Sequence, residues 1–374
     1  MSSADVFALS IHADYGCRHS GACCSADWDV PIELPVYRTL KQAVECGRLQ
    51  PQASARHLVP FVVEPDLPED AAAMLERTEA GECVFLDRGT KLCIVHRDLG
   101  EPSLPATCRY FPRLALRDDR GTFITLSHFC PTAASMLFRD DCSLTVVARP
   151  HAFPPGDYEG LIVTGDDLPP LLTPTMLMDP PGYSAWEHHM VTRCSELGRS
   201  PEAVVATLTR DARVLRAWRP GGVTLVDAVR GLPGHPANEE PPSTFDTSLY
   251  LYTQVMQAVP DDLRPQPDEE DLGSAFVRHV VPAWPVFYRP LNRYLAAKAF
   301  ASWTAYQGRG VMTIVRGLEA ALAVVRVESA RRCRSAGRGL DTDLMREAFR
   351  SADFILNHLA VGEDLAEAWS EVEF

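Results

Sequence analysis

Residues 15–24 read YGCRHSGACC, residues 83–113 read CVFLDRGTKLCIVHRDLGEPSLPATCRYFPR, and residues 128–134 read HFCPTAA. Seven of the chain's eleven cysteines stand in these stretches: Cys17, Cys23, Cys24, Cys83, Cys93, Cys108 and Cys130. Zinc sites and iron–sulfur clusters both need several deprotonated thiols converging from separate segments, so this spacing reads as a set of metal ligands. Adjacent residues point in different directions along extended chain. Cys23 and Cys24 are therefore not expected to serve one tetrahedral ion together, and either two metals or one structural thiol is implied.

Around the cysteines the local patterns predict short elements. Phe7, Leu9 and Ile11 alternate weakly, as in an edge strand, and residues 27–32 form a β-like piece carrying Trp28 toward the site. Leu34, Tyr37, Leu40 and Val44 recur at helical spacing after Pro35, with Gly47 beyond the end. Residues 66–79 read as a helix leading to Cys83. The apolar runs Val84–Leu86 and Leu92–Val95 flank the turn-forming Asp87-Arg88-Gly89-Thr90, which predicts a hairpin with Cys83 and Cys93 on opposite arms. A second hairpin is expected over 114–126, turning at 118–121. Cys130 then precedes Pro131 at the start of a helix, where a thiolate is favoured. Trp28, Tyr110 and Phe111 are expected as walls of the pocket. His96 and His128 stand beside ligand cysteines, and each reads first as structural. Cys46, Cys142, Cys194 and Cys333 lie outside the motif and read as core or surface thiols, and His188 and His189 as solvated side chains.

The chain has 374 residues, 46% of them hydrophobic, enough for two or three domains with a real core. A formal charge of -14 repels polyanions, so nucleic acid is a poor partner. Against that background residues 83–113 hold five basic and three acidic groups. Guanidinium groups there would offset surplus thiolate charge. No basic segment leads into an apolar run at the N-terminus, and no stretch of about 18 apolar residues occurs. No membrane partner is expected, and a cytoplasmic setting follows, in which clustered thiols stay reduced.

Residues 149–182 hold eight prolines and read as a connector. Beyond it, helices are predicted over 183–197 and over 201–218, the latter with Ser200 as N-cap. Proline-rich breaks at 231–243 and 260–272 separate shorter helices. Two long apolar stripes close the chain: Val311, Ile314, Val315, Leu318, Leu322 and Val325, then Leu344, Met345, Ala348, Phe349, Ala352, Ile355, Leu356 and Leu359. No internal repeat is visible. The expected fold is α+β, with a small cysteine-rich domain of short hairpins at 1–148, a proline-rich connector at 149–182, and a mainly α-helical region at 183–374.

The order C-x5-CC, a following Trp28, CVFLDRGTKLCIVHRDLG, LPATCRYFPR and HFCPTAA resembles the YkgJ-type cysteine-cluster family of zinc- or iron-chelating domains. The longer version closest to this chain is the FliB-like lysine N-methylase branch. The likeness covers residues 15–138 and continues more weakly at Asn292-Arg293-Tyr294-Leu295 and in the late helix with His358. The resemblance implies a metal centre of zinc, iron or an iron–sulfur cluster on the seven cysteines. In the FliB-like branch it implies methyl transfer from S-adenosylmethionine to a protein lysine, which would make a protein the substrate. Outside the cysteine stretches no catalytic residue can be matched. The chain also lacks CxxxCxxC, a glycine-rich dinucleotide loop, a Walker phosphate loop, HExxH and GxSxG. Three functions are expected in turn: a metalloprotein, a methyltransferase, or a structural metal site supporting a helical partner-binding protein. Cysteine spacing does not separate zinc from iron, and oligomeric state leaves no mark in the sequence.

Overall fold

The computed structural model describes residues 5–26, 28–53, 60–63, 67, 70–164, 170–233, 244–264, 272–308 and 310–370. The fold is α+β, with small sheets in the N-terminal part and helices after residue 180. In chain order the N-terminal elements are β1 (Val6–Leu9), β2 (Pro31–Glu33), α1 (Leu34–Glu45), β3 (Phe61–Val62), β4 (Ala71–Leu75), α2 (Ile94–Leu99), α3 (Ala106–Tyr110), β5 (Arg113–Asp118), β6 (Gly121–Leu126), α4 (Pro131–Met136) and β7 (Val146–Ala148). The strands β8 (Gly160–Ile162), β9 (Leu171–Thr173) and β10 (Met176–Leu177) follow within the proline-rich stretch.

The main sheet runs β7-β1-β6-β5-β8. Its centre is the expected hairpin, β5 antiparallel to β6 with Asp118 facing Gly121. Every residue of β6 is buried, because its two faces meet different cores. Ile124 and Leu126 join Val6, Ala8, Tyr15, Cys130 and Phe153 on one side. Phe123 joins Leu9, Ile11, Leu116 and the C-terminal helices on the other. Alternation along a strand splits side chains in this way. β1 is not the edge strand its weak pattern suggested. It runs parallel to β6 and antiparallel to β7, inside the sheet. Gly121 is required here: its φ is +141°, and an added Cβ would stand 2.6 Å from the Asp5 carbonyl oxygen.

A second sheet, β2-β4-β3, carries the cysteine lobe. The helix expected over 66–79 is corrected. Residues 66, 68 and 69 lie outside the described residues, and 71–75 form the central strand of this sheet. Ala-Ala-Ala-Met-Leu favours helix locally, but pairing on both sides with Ala73 and Leu75 buried overrides that preference. The Cys83–Cys93 hairpin is also reduced. Leu86 and Cys93 make one antiparallel bridge, after which Cys93 caps α2 rather than continuing a strand. The β-like piece near Trp28 is limited to Pro31–Glu33. Helix α1 and the helix start at Cys130 stand where the sequence put them.

The C-terminal elements are α5 (Pro180–Ser195), α6 (Pro201–Arg216), α7 (Leu225–Arg230), α8 (Phe245–Gln257), α9 (Leu272–Ala275), α10 (Tyr288–Ala299), α11 (Thr304–Gln307), α12 (Val311–Ala336), α13 (Thr342–Phe354) and α14 (Gly362–Ser370). Ser200 caps α6, its side chain accepting from the Ala203 N–H at 3.2 Å. The stripe Val311 to Val325 is buried, as are Leu344 to Leu356 of the second stripe, while Leu359 is only half-buried. Helix α13 passes into a π turn, Ile355–Leu359, that carries His358. Most of the breaks expected at 231–243 and 260–272 falls outside the described residues. Among the described residues no helix is long and apolar enough to cross a membrane.

Candidate metal centre

Cys17, Cys23, Cys24, Cys83, Cys93, Cys108 and Cys130 line one cavity of about 320 Å³. All seven are free thiols. Five chain segments deliver them, each by a different local device. Cys23 and Cys24 sit on a 3₁₀ turn, Ala22–Cys24, that begins after Gly21. Gly21 has φ +73°, and a Cβ there would lie 2.9 Å from the Lys91 carbonyl oxygen, so only glycine lets this turn rest on the loop before Cys93. The Cys83 N–H donates to the Cys24 carbonyl at 2.7 Å, locking the two ligand segments together. Cys108 lies on α3, whose first N–H, that of Ala106, donates to the Glu33 carboxylate at 2.8 Å. Cys130 caps α4.

The turn changes the geometry of the adjacent pair. Cys23 and Cys24 Sγ are 3.8 Å apart, because the backbone there is curled rather than extended. Two thiolates about 2.3 Å from a tetrahedral ion stand about 3.8 Å from each other, so this pair can share one ion. Tyr15 Oη lies 3.7 Å from Cys130 Sγ. The Cys17 Sγ accepts from the His19 N–H at 3.4 Å, and Cys83 Sγ from the Phe85 N–H at 3.4 Å.

Hydrogen bonding among the sulfurs sets their acidity. Cys24, in contact with Cys23, Cys83 and Cys93, is pushed strongly up. Cys23 is lowered as an acceptor from Cys24, and Cys93, for the same reason, falls to about 7. Burial raises Cys108 and Cys17. A bound cation deprotonates coordinating thiols outright.

Of the five basic groups near the cysteines, three are taken by carboxylates. Arg88 and Lys91 pair with Glu82, and Arg97 with Asp87 and Asp98. Arg109 and Arg113 line the cavity, and the Nε of each is buried without a hydrogen-bond partner. Phe111 also lines it. Trp28 and Tyr110 do not, contrary to expectation: Trp28 packs on Phe111, Phe129 and His358, and Tyr110 lines a neighbouring cavity. His96 lies at the wall, stacked on His19. His128 does not: it is fully buried on Asp353. Tyr15 and His19 are cavity residues that spacing alone missed, their one signal being proximity to Cys17.

The donor set suits zinc or iron: unpaired soft thiols, cationic side chains at the rim, and a cavity far larger than the ~10–15 Å³ one water needs. Among the described residues, however, no three such donors already stand in finished coordination geometry. The fold gathers the sulfurs, and binding would have to draw them in.

The fold and the cavity define a thiol-lined site set into an α+β protein. Residues 16–131 match a family model described as "CxxCxxCC: Putative zinc- or iron-chelating domain". The matched span begins one residue before Cys17 and ends one after Cys130, so it encloses all seven sulfurs. No curated protein and no solved structure gave a significant match to the chain.

Proposed function

We propose that the protein is a cytoplasmic metalloprotein that holds iron, as an iron–sulfur cluster, or zinc through Cys17, Cys23, Cys24, Cys83, Cys93, Cys108 and Cys130. The observation that carries this reading is the convergence of seven free thiols from five segments on one cavity. A bound ion would deprotonate the thiols and tie the β2-β4-β3 lobe to the main sheet, so metal binding would add to folding stability. Anaerobic purification followed by metal analysis and visible absorption tests it. Stoichiometric iron with a broad charge-transfer spectrum, or stoichiometric zinc without one, is expected. Colourless protein with less than one equivalent of either metal overturns it.

A second reading makes the protein a FliB-like S-adenosylmethionine-dependent lysine N-methyltransferase acting on a protein. It is favoured by a neighbouring cavity of about 420 Å³ that shares Phe111 and Arg113 with the thiol cavity. Tyr110, Ser127, Trp303, Asn357 and His358 line this second space, and Ser127 Oγ and His358 Nε2 are 2.8 Å apart. A co-substrate there would lie one side-chain layer from the metal. Labelled S-adenosylmethionine incubated with the protein and cell lysate should give protein-bound label that is lost on Cys93→Ser or Cys108→Ser. Label transfer that survives both substitutions, or none at all, removes this reading.

A further inference from the structure

Six of the seven sulfurs belong to two different packing units. Cys24 and Cys83 are part of the small core of the cysteine lobe, with Cys23, Cys93 and Cys108 packed against it. Cys130 is part of the core beneath the main sheet, together with Tyr15. The one close sulfur pair, Cys23 and Cys24 at 3.8 Å, lies within the first group, and the charges that Cys108 feels most are those of Cys83, Cys23 and Cys93. Cys17 lies between the groups, interacting with Cys23 on one side and with Cys130 and Tyr15 on the other. The first group alone already exceeds the four ligands of a tetrahedral ion. Cys130 is left needing a partner from its own side.

Tyr15 is that partner. Its ring is 7% exposed, it lines the cavity, and its hydroxyl meets Cys130 Sγ at 3.7 Å. Oxygen and sulfur ligands at about 2.0 and 2.3 Å from a tetrahedral ion stand about 3.5 Å apart, close to this separation. The Arg113 guanidinium lies 5.8 Å from the Tyr15 ring centroid, and its buried Nε has no hydrogen-bond partner. A cationic donor with capacity left over, beside a phenol and two thiols, fits a site that becomes anionic when filled.

We propose that Tyr15, Cys17 and Cys130 form a mixed oxygen–sulfur metal site, separate from the all-thiolate site of Cys23, Cys24, Cys83, Cys93 and Cys108, with the Tyr15 phenolate as its oxygen ligand. The proposal rests on the metal-binding reading above and divides that centre in two. A divalent ion entering displaces the phenol proton and two thiol protons to solvent. The filled site then carries one net negative charge, which Arg113 offsets. A cation within bonding distance of the phenol oxygen favours the phenolate. The hard phenolate oxygen suits ferric iron.

The test uses ferrous iron alone, added anaerobically to metal-free full-length protein and then oxidised, with resonance Raman spectroscopy as the readout. Iron(III)-bound phenolate gives ring modes that thiolate ligands do not. These modes are expected in the unsubstituted protein and in Cys83→Ser, and are expected to vanish in Tyr15→Phe and Cys130→Ser, with less iron retained. Tyr15→Phe keeps the ring and removes one oxygen, so it preserves the packing. An unchanged spectrum in Tyr15→Phe overturns the phenolate ligand while leaving the wider metal reading intact. Modes that disappear equally in Cys83→Ser overturn the division into two sites. If the unsubstituted protein binds no iron and no zinc, the wider reading falls and this one with it.

Discussion

Asp353 gathers buried polar groups from both halves of the chain. Its carboxylate accepts from the His128 ring at 3.0 Å and from the Tyr294 hydroxyl at 2.7 Å, and pairs with Lys298. The Asp353 carboxylate is out of water, which ordinarily raises a carboxyl; the Lys298 charge and the His128 hydrogen bonds outweigh burial and hold it well below the usual range. The tautomers follow from the partners. His128 donates through Nδ1 to the carboxylate, so its Nε2, 3.3 Å from His12 Nε2, accepts from His12. Removing the carboxylate strands the Lys298 ammonium and three donors, the His128 backbone N–H, the His128 ring N–H and the Tyr294 hydroxyl. Asp353→Ala should therefore cost about 3–5 kcal/mol in urea unfolding, and Lys298→Met should cost less in the Asp353→Ala background than alone. Additive losses would show that the two charges are not coupled. Gly21 offers a test at the other end of the chain. Gly21→Val places a Cβ against the Lys91 carbonyl at φ +73°, so retained metal should fall severalfold while far-ultraviolet dichroism changes little. Full metal retention would mean that the turn can open without moving Cys23 and Cys24.

Elements whose signals are local could be read from the sequence. The cap and proline that open α6 lie within two residues of its start, and Ser200→Ala should lower stability by about 1 kcal/mol in the same urea assay. A loss below a few tenths would mean that Asn292, whose amide donates to the Arg199 carbonyl at 2.9 Å, fixes this terminus instead. The β5–β6 hairpin was legible because its turn residues stand between two apolar runs, and the late stripes because helical period is internal to a helix. What failed was non-local. The parallel pairing of Val6 with Thr122 joins strands more than a hundred residues apart, and nothing in Phe7-Ala8-Leu9 distinguishes an edge from an interior strand. β4 was misread because alanine says little until its neighbours are known. At the site, spacing singled out seven cysteines, and these line one cavity, but spacing could not assign six of them to two cores or reveal Tyr15 beside Cys130. The His128–Asp353 contact spans 225 residues and has no sequence pattern at all.

At the scale of the molecule, these long-range contacts are the joint between the sheet and the C-terminal helices. Arg293 on α10 donates to the Leu137 and Cys142 carbonyls at 3.0 and 2.7 Å, and His358 meets Ser127 across 231 residues. Arg293 and Tyr294, which also packs on the His128 ring, are thus occupied in fastening the halves together. Such a joint should be sensitive to acid. Burial pushes His358 down to about 4 and His12 well below its ordinary value, so both are neutral when folded near neutrality. The charged groups facing them are Asp353 and Lys298, and His12 also faces the titratable but buried His128. Above about pH 6.5 an unfolded histidine is neutral too, and nothing is lost. As pH falls from there toward 4, the unfolded chain takes up protons that the folded chain refuses, and stability drops by about 3 kcal/mol for His358 alone. The depressed Asp353 adds loss in the same direction at still lower pH, once the unfolded carboxyl protonates near 4. Calorimetric melting of the metal-free protein should show Tm falling steadily from about pH 6.5 to about pH 4.5, and His358→Gln, which cannot protonate, should flatten that slope. Metal-free protein separates this effect from proton competition at the thiols, which would otherwise act in the same sense. A Tm that holds level across the interval would mean that water reaches His358 and His12, and that the joint is looser than its hydrogen bonds imply.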